Sequence, residues 1–209
     1  LDAWLIQRAK ALQAEVIEAY NQFEFHAIYQ KLTHFCSVEL GSFYLDVIKD
    51  RQYTCATDSV ARRSAQTAMF YVAEAMVRWF APILSFTAEE VWQVLPGERG
   101  ESVFLEKWYD AFPNLSTRDD QIDWTYFMAL RDEVNKAIEV LRTDGKLGSS
   151  LEANVTLYAD DELYDTFNAL GEELRFILIT SGACVKKLSD APDDAMSALD
   201  LKMTVTASE

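Results

Sequence analysis

The stretch Arg78-Trp-Phe-Ala-Pro-Ile-Leu-Ser-Phe-Thr-Ala-Glu-Glu-Val-Trp92 reads as the end of one helix, a proline break and the start of another. Pro82 has no amide hydrogen to give and disfavours helical backbone at the residue before it, so a break is predicted at Phe80-Ala81. Thr87, followed three residues later by Glu90, has the form of a capping box, and Glu89 and Glu90 supply acids for a first turn, which predicts a restart at Thr87. Trp79, Phe80, Phe86 and Trp92 flank the break. Rings of this size mostly fill cores, so they are read as packing between two helices rather than as base-stacking surfaces.

Working outward from the break, helical periodicity dominates the first two-thirds of the chain. Leu5, Ala9, Leu12, Val16 and Ala19 form one buried stripe that lapses at Asn21-Gln22. A second stretch begins near Glu24, buries Phe25, Ile28, Leu32 and Phe35, and runs on through Leu40, Phe43, Tyr44 and Val47 despite Gly41. A glycine inside a helix costs about 1 kcal/mol against alanine, so a close helix contact is expected there. Thr57-Asp58-Ser59 offers capping oxygens for a third helix whose stripe includes Ala61, Ala65, Ala68, Val72 and Met76. From Leu95 to Gln121 two prolines, two glycines and scattered rings (Phe104, Trp108, Tyr109, Phe112) predict a long ordered loop packed over the helices.

Asp123 to Leu141 is again helical, and the character then changes. Asp144-Gly-Lys-Leu-Gly-Ser-Ser150 is a turn, Ala153-Asn-Val-Thr-Leu-Tyr158 alternates as a half-buried strand does, and Asp160 to Leu170 reads as a short helix. Leu174 to Ile179 fits a buried strand or helix, and Leu201 to Thr206 a closing strand. The expected organisation is mainly α: an antiparallel helical bundle over 1–143, followed by a small acidic α/β module over 144–209.

Half of the 209 residues are hydrophobic, enough to bury a sizeable core. No run approaches the roughly 18 to 20 consecutive apolar residues that span a bilayer, and Asp2 stands where a signal peptide carries bases, so a soluble cytoplasmic protein without membrane contact is expected. A helical pattern already under way at Leu1 predicts a piece cut from a longer polypeptide. Cys36, Cys55 and Cys184 are far apart and His26 and His34 have no neighbouring ligand types at metal spacing, so neither a disulfide framework nor a metal site is readable. The seven glycines are scattered singly, no serine has a nucleophile-elbow setting, and the acid pairs Glu89-Glu90, Asp160-Asp161 and Asp193-Asp194 read as helix starts and solvated turns. No catalytic residue is assigned.

The net charge of −15 works against nonspecific binding to nucleic acid, DNA included. Its distribution is uneven: residues 1–110 hold 10 Lys and Arg against 15 Asp and Glu, and residues 111–209 hold 9 against 19. If RNA binds, it binds the first half. Lys49-Asp-Arg51 ends the second helical stretch and Arg62-Arg63 opens the third, so a short connection gathers four cations into a possible phosphate-binding edge, while cations at a helix end also simply suit its dipole. Gln52 and Tyr53 beside them are suited to hydrogen-bond or stack on an unpaired base.

Four segments carry a family resemblance: Phe35-Cys-Ser-Val-Glu-Leu-Gly-Ser-Phe-Tyr-Leu-Asp-Val-Ile-Lys-Asp-Arg-Gln-Tyr53, Asp58-Ser-Val-Ala-Arg-Arg63, Ala81-Pro-Ile-Leu-Ser-Phe-Thr-Ala-Glu-Glu-Val-Trp92, and Gly148-Ser-Ser-Leu-Glu-Ala153 with Leu174-Arg-Phe176. Over most of residues 1–185 the chain resembles the helical anticodon-binding region of bacterial isoleucyl-tRNA synthetases. The proline-kinked piece is shared with valyl and leucyl enzymes and marks the superfamily, whereas the Phe35 to Tyr53 segment looks isoleucyl. The resemblance implies a partner, isoleucine tRNA, held at its anticodon stem and loop by a monomer, with Lys49, Arg51, Arg62 and Arg63 on phosphates and Gln52 and Tyr53 near loop bases. It implies ATP, and a zinc module, only in the whole enzyme and no cofactor in these residues. The chain departs from the whole enzyme in lacking the His-Ile-Gly-His signature; Lys202-Met-Thr-Val205 only mimics the start of the second catalytic motif and fits a strand better. Two alternatives stay open: a valyl or leucyl counterpart, and a helical protein-interaction module.

Overall fold

A computed structural model describes residues 1–115 and 122–208. The chain is mainly helical and closes with a small α/β module. It divides into two compact units, Leu1–Leu115 and Ser116–Glu209. Chain character changes near residue 143, where the last long helix ends, but contacts place the division earlier. That helix buries Phe127, Leu130 and Val134 and packs on the sheet that follows it.

In the first unit, α1 (Asp2–Asn21) turns its stripe of Leu5, Ala9, Leu12 and Val16 onto α4 (Val60–Phe80), which answers with Ala65, Ala68, Val72 and Ala75. The alanines of α4 leave room for the leucines of α1, and burial of such apolar surface, at about 25 cal/mol per Å², holds the two helices together. α1 ends where the pattern lapses. Phe23 takes the left-handed conformation (φ 59°), and the amides of Phe23 and Glu24 reach back to the carbonyls of Tyr20 and Ala19.

α2 (Phe25–His34) runs without a break into a π-helical stretch, Phe35–Leu45, and then into α3 (Asp46–Thr54). Helix was expected throughout, but not this winding. Nine residues at roughly 100° each would put Tyr44 opposite Phe35; at the roughly 80° of the wider turn, both come round to the same side, and both are fully buried. The glycine has a local reason. A Cβ on Gly41 would stand 2.9 Å from the carbonyl oxygen of Cys36, so the residue serves the π-turn's own backbone and not contact with another helix.

α4 starts from Ser59, whose Oγ accepts the Arg62 amide at 3.5 Å, and ends at Phe80 as the proline requires. α5 (Ser85–Val94) starts two residues before Thr87, so the capping box does not form; Ser85 instead donates its hydroxyl to the Ala81 carbonyl at 3.0 Å. Trp79 and Trp92 are buried and Phe80 is half-buried, but Phe86 is 88% exposed and packs nothing. The expected loop folds back as predicted over its described part: Tyr109, Phe112 and Leu115 pack on the α1–α4 core, and residues 116–121 lie outside the described residues.

The second unit opens with α6 (Trp124–Thr143), capped by Asp123, whose carboxylate accepts the amides of Thr125 and Tyr126 at 2.9 and 3.1 Å. β1 (Ala153–Ala159) leads through α7 (Asp161–Asn168) and α8 (Glu173–Leu178) to a parallel neighbour, β2 (Gly182–Lys187). β3 (Met196–Ala198) and β4 (Leu201–Ala207) complete a sheet of order β2-β1-β4-β3. Leu174 to Leu178 therefore resolves as helix, and the closing strand stands as expected. Among the described residues, no helix is long and apolar enough to cross a membrane.

Candidate nucleic-acid interface

The end of α3 and the start of α4 meet across a short turn. Arg62 spans it: its Nη1 donates to the Cys55 carbonyl at 3.0 Å, satisfying one of the acceptors left free where α3 stops. Tyr53, in the last turn of α3, is 86% exposed, and Arg63 points to solvent. Lys49, one turn earlier, is exposed and holds Asp46 at 2.7 Å. The hydrogen bond and charge of Asp46 raise the Lys49 pKa, so this side chain stays cationic while partly neutralised by its neighbour.

Two of the six candidate residues are placed differently from expectation. Arg51 falls on the buried side of α3 beside Val47 and Ile48, its side chain only 6% exposed, with Nη1 3.9 Å from Asp2 Oδ2. Asp2 Oδ1 accepts the Tyr44 hydroxyl at 2.8 Å. Burial, reinforced by the Asp2 charge, pushes the Tyr44 phenol far above its ordinary pKa, so it stays a donor. Arg51 thus ties α3 to the first turn of α1 and is withdrawn from a phosphate-facing surface. Gln52 is half-buried, and its Nε2 is enclosed without a hydrogen-bond partner among the described residues.

Acids temper this region: Asp58 lies in the turn, Asp50 in the second half of α3, and Asp46 pairs with Lys49. The less opposed cationic element is the first half of α4, where no Asp or Glu occurs between Asp58 and Glu74. That acid-free run was visible in the sequence and was the signal that Arg62 and Arg63 head a stretch of helix without opposing carboxylates. Beyond Arg63 on the same face, Gln66, Thr67, Phe70 and Tyr71 border a shallow hollow of about 260 Å³.

Another ionic cluster is internal. Glu74 lies buried between Arg78, 2.8 Å away, and Arg99, while both guanidinium groups stack over the Trp92 ring at 4.8 and 4.6 Å. This cluster fastens α4, α5 and the following loop to each other. His26 is exposed, and His34 Nε2 lies 3.7 Å from a Glu39 oxygen; among the described residues no group of three or more His, Cys, Asp or Glu gathers as a metal site. Asp160 caps α7 by accepting the Leu163 amide at 3.0 Å and Asp161 pairs with Lys187, so the acid pair there is a helix start. What the α3–α4 turn offers chemically is recognition: guanidinium and ammonium groups and an exposed phenol, with the exposed Gln66 amide further along α4.

The family described as "Anticodon-binding domain of tRNA ligase" has a profile that matches residues 2–157. Among similar proteins, the isoleucine–tRNA ligase of Idiomarina loihiensis is 54% identical over all of this chain, that of Methylococcus capsulatus 53% over 99% of it, and that of Serratia proteamaculans 56% over 95%. The chain spans only 21 to 23% of the length of these three relatives.

Proposed function

Because the chain belongs to the family of anticodon-binding domains of tRNA ligases, we propose that it holds the anticodon stem and loop of isoleucine tRNA, as one part of an isoleucine–tRNA ligase. The observation that carries this reading is the α3–α4 turn, which has an 86% exposed Tyr53 at its α3 end and Arg62 and Arg63 at its α4 end. A ring presented to solvent among cations is what a protein needs to take up unpaired bases while neutralising their phosphates. The helices of the first unit act as an antiparallel bundle that presents this turn. Similarity above 50% to three isoleucine–tRNA ligases favours isoleucine over valine or leucine as the matching amino acid.

In this reading the ligation of isoleucine to tRNA with ATP belongs to parts of the ligase outside these residues, as does a zinc-bearing module. No cofactor is assigned to the chain, which works as a cytoplasmic monomer. A filter-binding competition at low salt tests the proposal. Isoleucine tRNA should displace labelled isoleucine tRNA better than valine or leucine tRNA does. Equal competition by all three would remove the isoleucine assignment, and no retention of any tRNA by folded protein would favour a protein-interaction module instead.

A further inference from the structure

We propose that the hollow between Arg63 and Phe70 on α4 is a stacking subsite for one unpaired base of a single-stranded RNA loop, with the Phe70 ring as its platform and Arg63 on the adjoining phosphate. The inference rests on the tRNA-binding reading and adds to it a second point of hold, away from the α3–α4 turn.

Position comes first. Arg63, Gln66, Thr67 and Phe70 recur at helical spacing on one face of α4, and at 1.5 Å per residue Arg63 and Phe70 stand about 10 Å apart along the axis. Charge comes next. Arg62 is engaged with the Cys55 carbonyl, whereas among the described residues the Arg63 guanidinium has neither an ion pair nor a hydrogen bond. The helix itself carries no acid from Ser59 to Ala73, so in a chain of net charge −15 the Arg63 guanidinium has no carboxylate of its own helix to neutralise it along this face.

The platform is braced from below. Phe70 remains 36% exposed, its ring centroid 6.0 Å from that of Tyr71 with the planes 66° apart; Tyr71 meets Tyr109 at 6.4 Å, and Tyr109 meets Phe112 at 5.0 Å. Gln13 Nε2 donates to the Tyr109 carbonyl at 2.7 Å and pins that chain of rings to α1. A ring held this way loses little freedom when a base lies on it. Thr67 gives its hydroxyl to the Arg63 carbonyl at 2.8 Å, which leaves the exposed Gln66 amide to donate to or accept from a base edge. The mixture matters: the hollows near Phe80 and Leu84 are walled almost wholly by apolar groups, whereas here guanidinium, amide and ring alternate as a nucleobase and its phosphate require.

The test uses the 209-residue chain and two RNAs, the isoleucine anticodon stem-loop and a fully paired duplex that contains the same stem sequence. Phe70→Ala should weaken stem-loop binding roughly tenfold, the loss of one stacked base, and leave duplex binding unchanged. Phe70→Leu, which keeps apolar packing but removes the ring, should lose as much, and Phe70→Tyr should bind as wild type. Stem-loop binding by Phe70→Leu equal to wild type, or an equal loss on both RNAs, overturns the subsite while leaving the tRNA reading intact. Failure of wild-type protein to bind the stem-loop at low salt overturns the tRNA reading and the subsite with it.

Discussion

The indole of Trp79 donates its Nε1–H to Gln13 Oε1 at 3.0 Å, from a ring that is wholly buried. Gln13 is the residue that also holds the Tyr109 carbonyl, so one amide satisfies α4 on one side and the loop on the other. Gln13→Ala should leave a buried donor without a partner and lower unfolding free energy by about 1–3 kcal/mol. Urea unfolding followed by tryptophan fluorescence reads this directly, and an unchanged midpoint would show that water replaces the amide.

Glu74 makes the same unit sensitive to acid. Burial alone raises its pKa, but hydrogen bonds from Arg99 and Arg78 more than reverse that effect and hold the carboxyl below the usual glutamate range. A folded-state pKa below the unfolded one contributes stability that is complete above the unfolded value, about 4.3, and is lost as pH falls through the folded value. Glu74→Gln should therefore cost several kcal/mol near neutrality, on the order of 3, by leaving two guanidinium groups poorly paired. The gap between the two proteins should narrow below about pH 4. Parallel acid titrations of thermal stability would contradict this if the gap stayed constant down to pH 3.

At Gly41 the sign of a familiar substitution should invert. Glycine to alanine in an ordinary helix interior gains about 1 kcal/mol, but here the new methyl would meet the Cys36 carbonyl oxygen at 2.9 Å, a backbone atom that cannot step aside alone. Gly41→Ala should destabilise the protein and shorten the π-helical stretch. Calorimetry showing a higher melting temperature would mean that the π-turn relaxes to α-helix at no cost.

These cases also mark what the sequence can disclose. The break at Pro82 was legible because a missing amide acts within one turn, whatever surrounds it. The first-unit core was legible because Leu5, Leu12 and Val16 repeat at helical spacing. Winding of Phe35–Leu45 was not, since the same apolar residues satisfy an α stripe until one asks where Phe35 and Tyr44 both go. Thr87 with Glu90 has the chemistry of a cap, but a helix starting at Ser85 needs none of it. β2 and β3 escaped notice because Gly182-Ala-Cys-Val-Lys-Lys187 and the three-residue β3 are edge strands with little alternation. At the candidate interface the basic residues were visible, but their directions were not. Arg51 turns inward because of Asp2, a partner some fifty positions away that no local pattern announces.

That inward turn makes Arg51 and Lys49 separable. Arg51→Ala should uncover Asp2 and the Tyr44 hydroxyl and cost about 3 kcal/mol, whereas Lys49→Ala, at an exposed pair, should stay within about 0.5 kcal/mol. Arg51→Met refills much of the volume and should bind tRNA with the wild-type salt dependence. A shallower salt dependence for Arg51→Met would return this residue to the phosphate surface.

Arg62 and Arg63, adjacent in sequence, should fail in different ways. Each phosphate contact contributes about 0.7 to 0.9 to the slope of log affinity against log salt, so Arg63→Ala should flatten the slope by about that amount with folding untouched. Arg62 also closes the turn through the Cys55 carbonyl. Its alanine variant should lose stability as well as slope, and loosening of the turn should carry Tyr53 with it, eroding the proposed preference for isoleucine tRNA. Arg62→Lys keeps the charge but cannot reproduce the same reach and donor geometry, so it should restore the slope without restoring the preference. Salt titrations of the three variants on isoleucine and valine tRNA separate these roles: if Arg62→Lys recovered both quantities, charge alone would account for Arg62, and the turn it closes would have no part in selecting the tRNA.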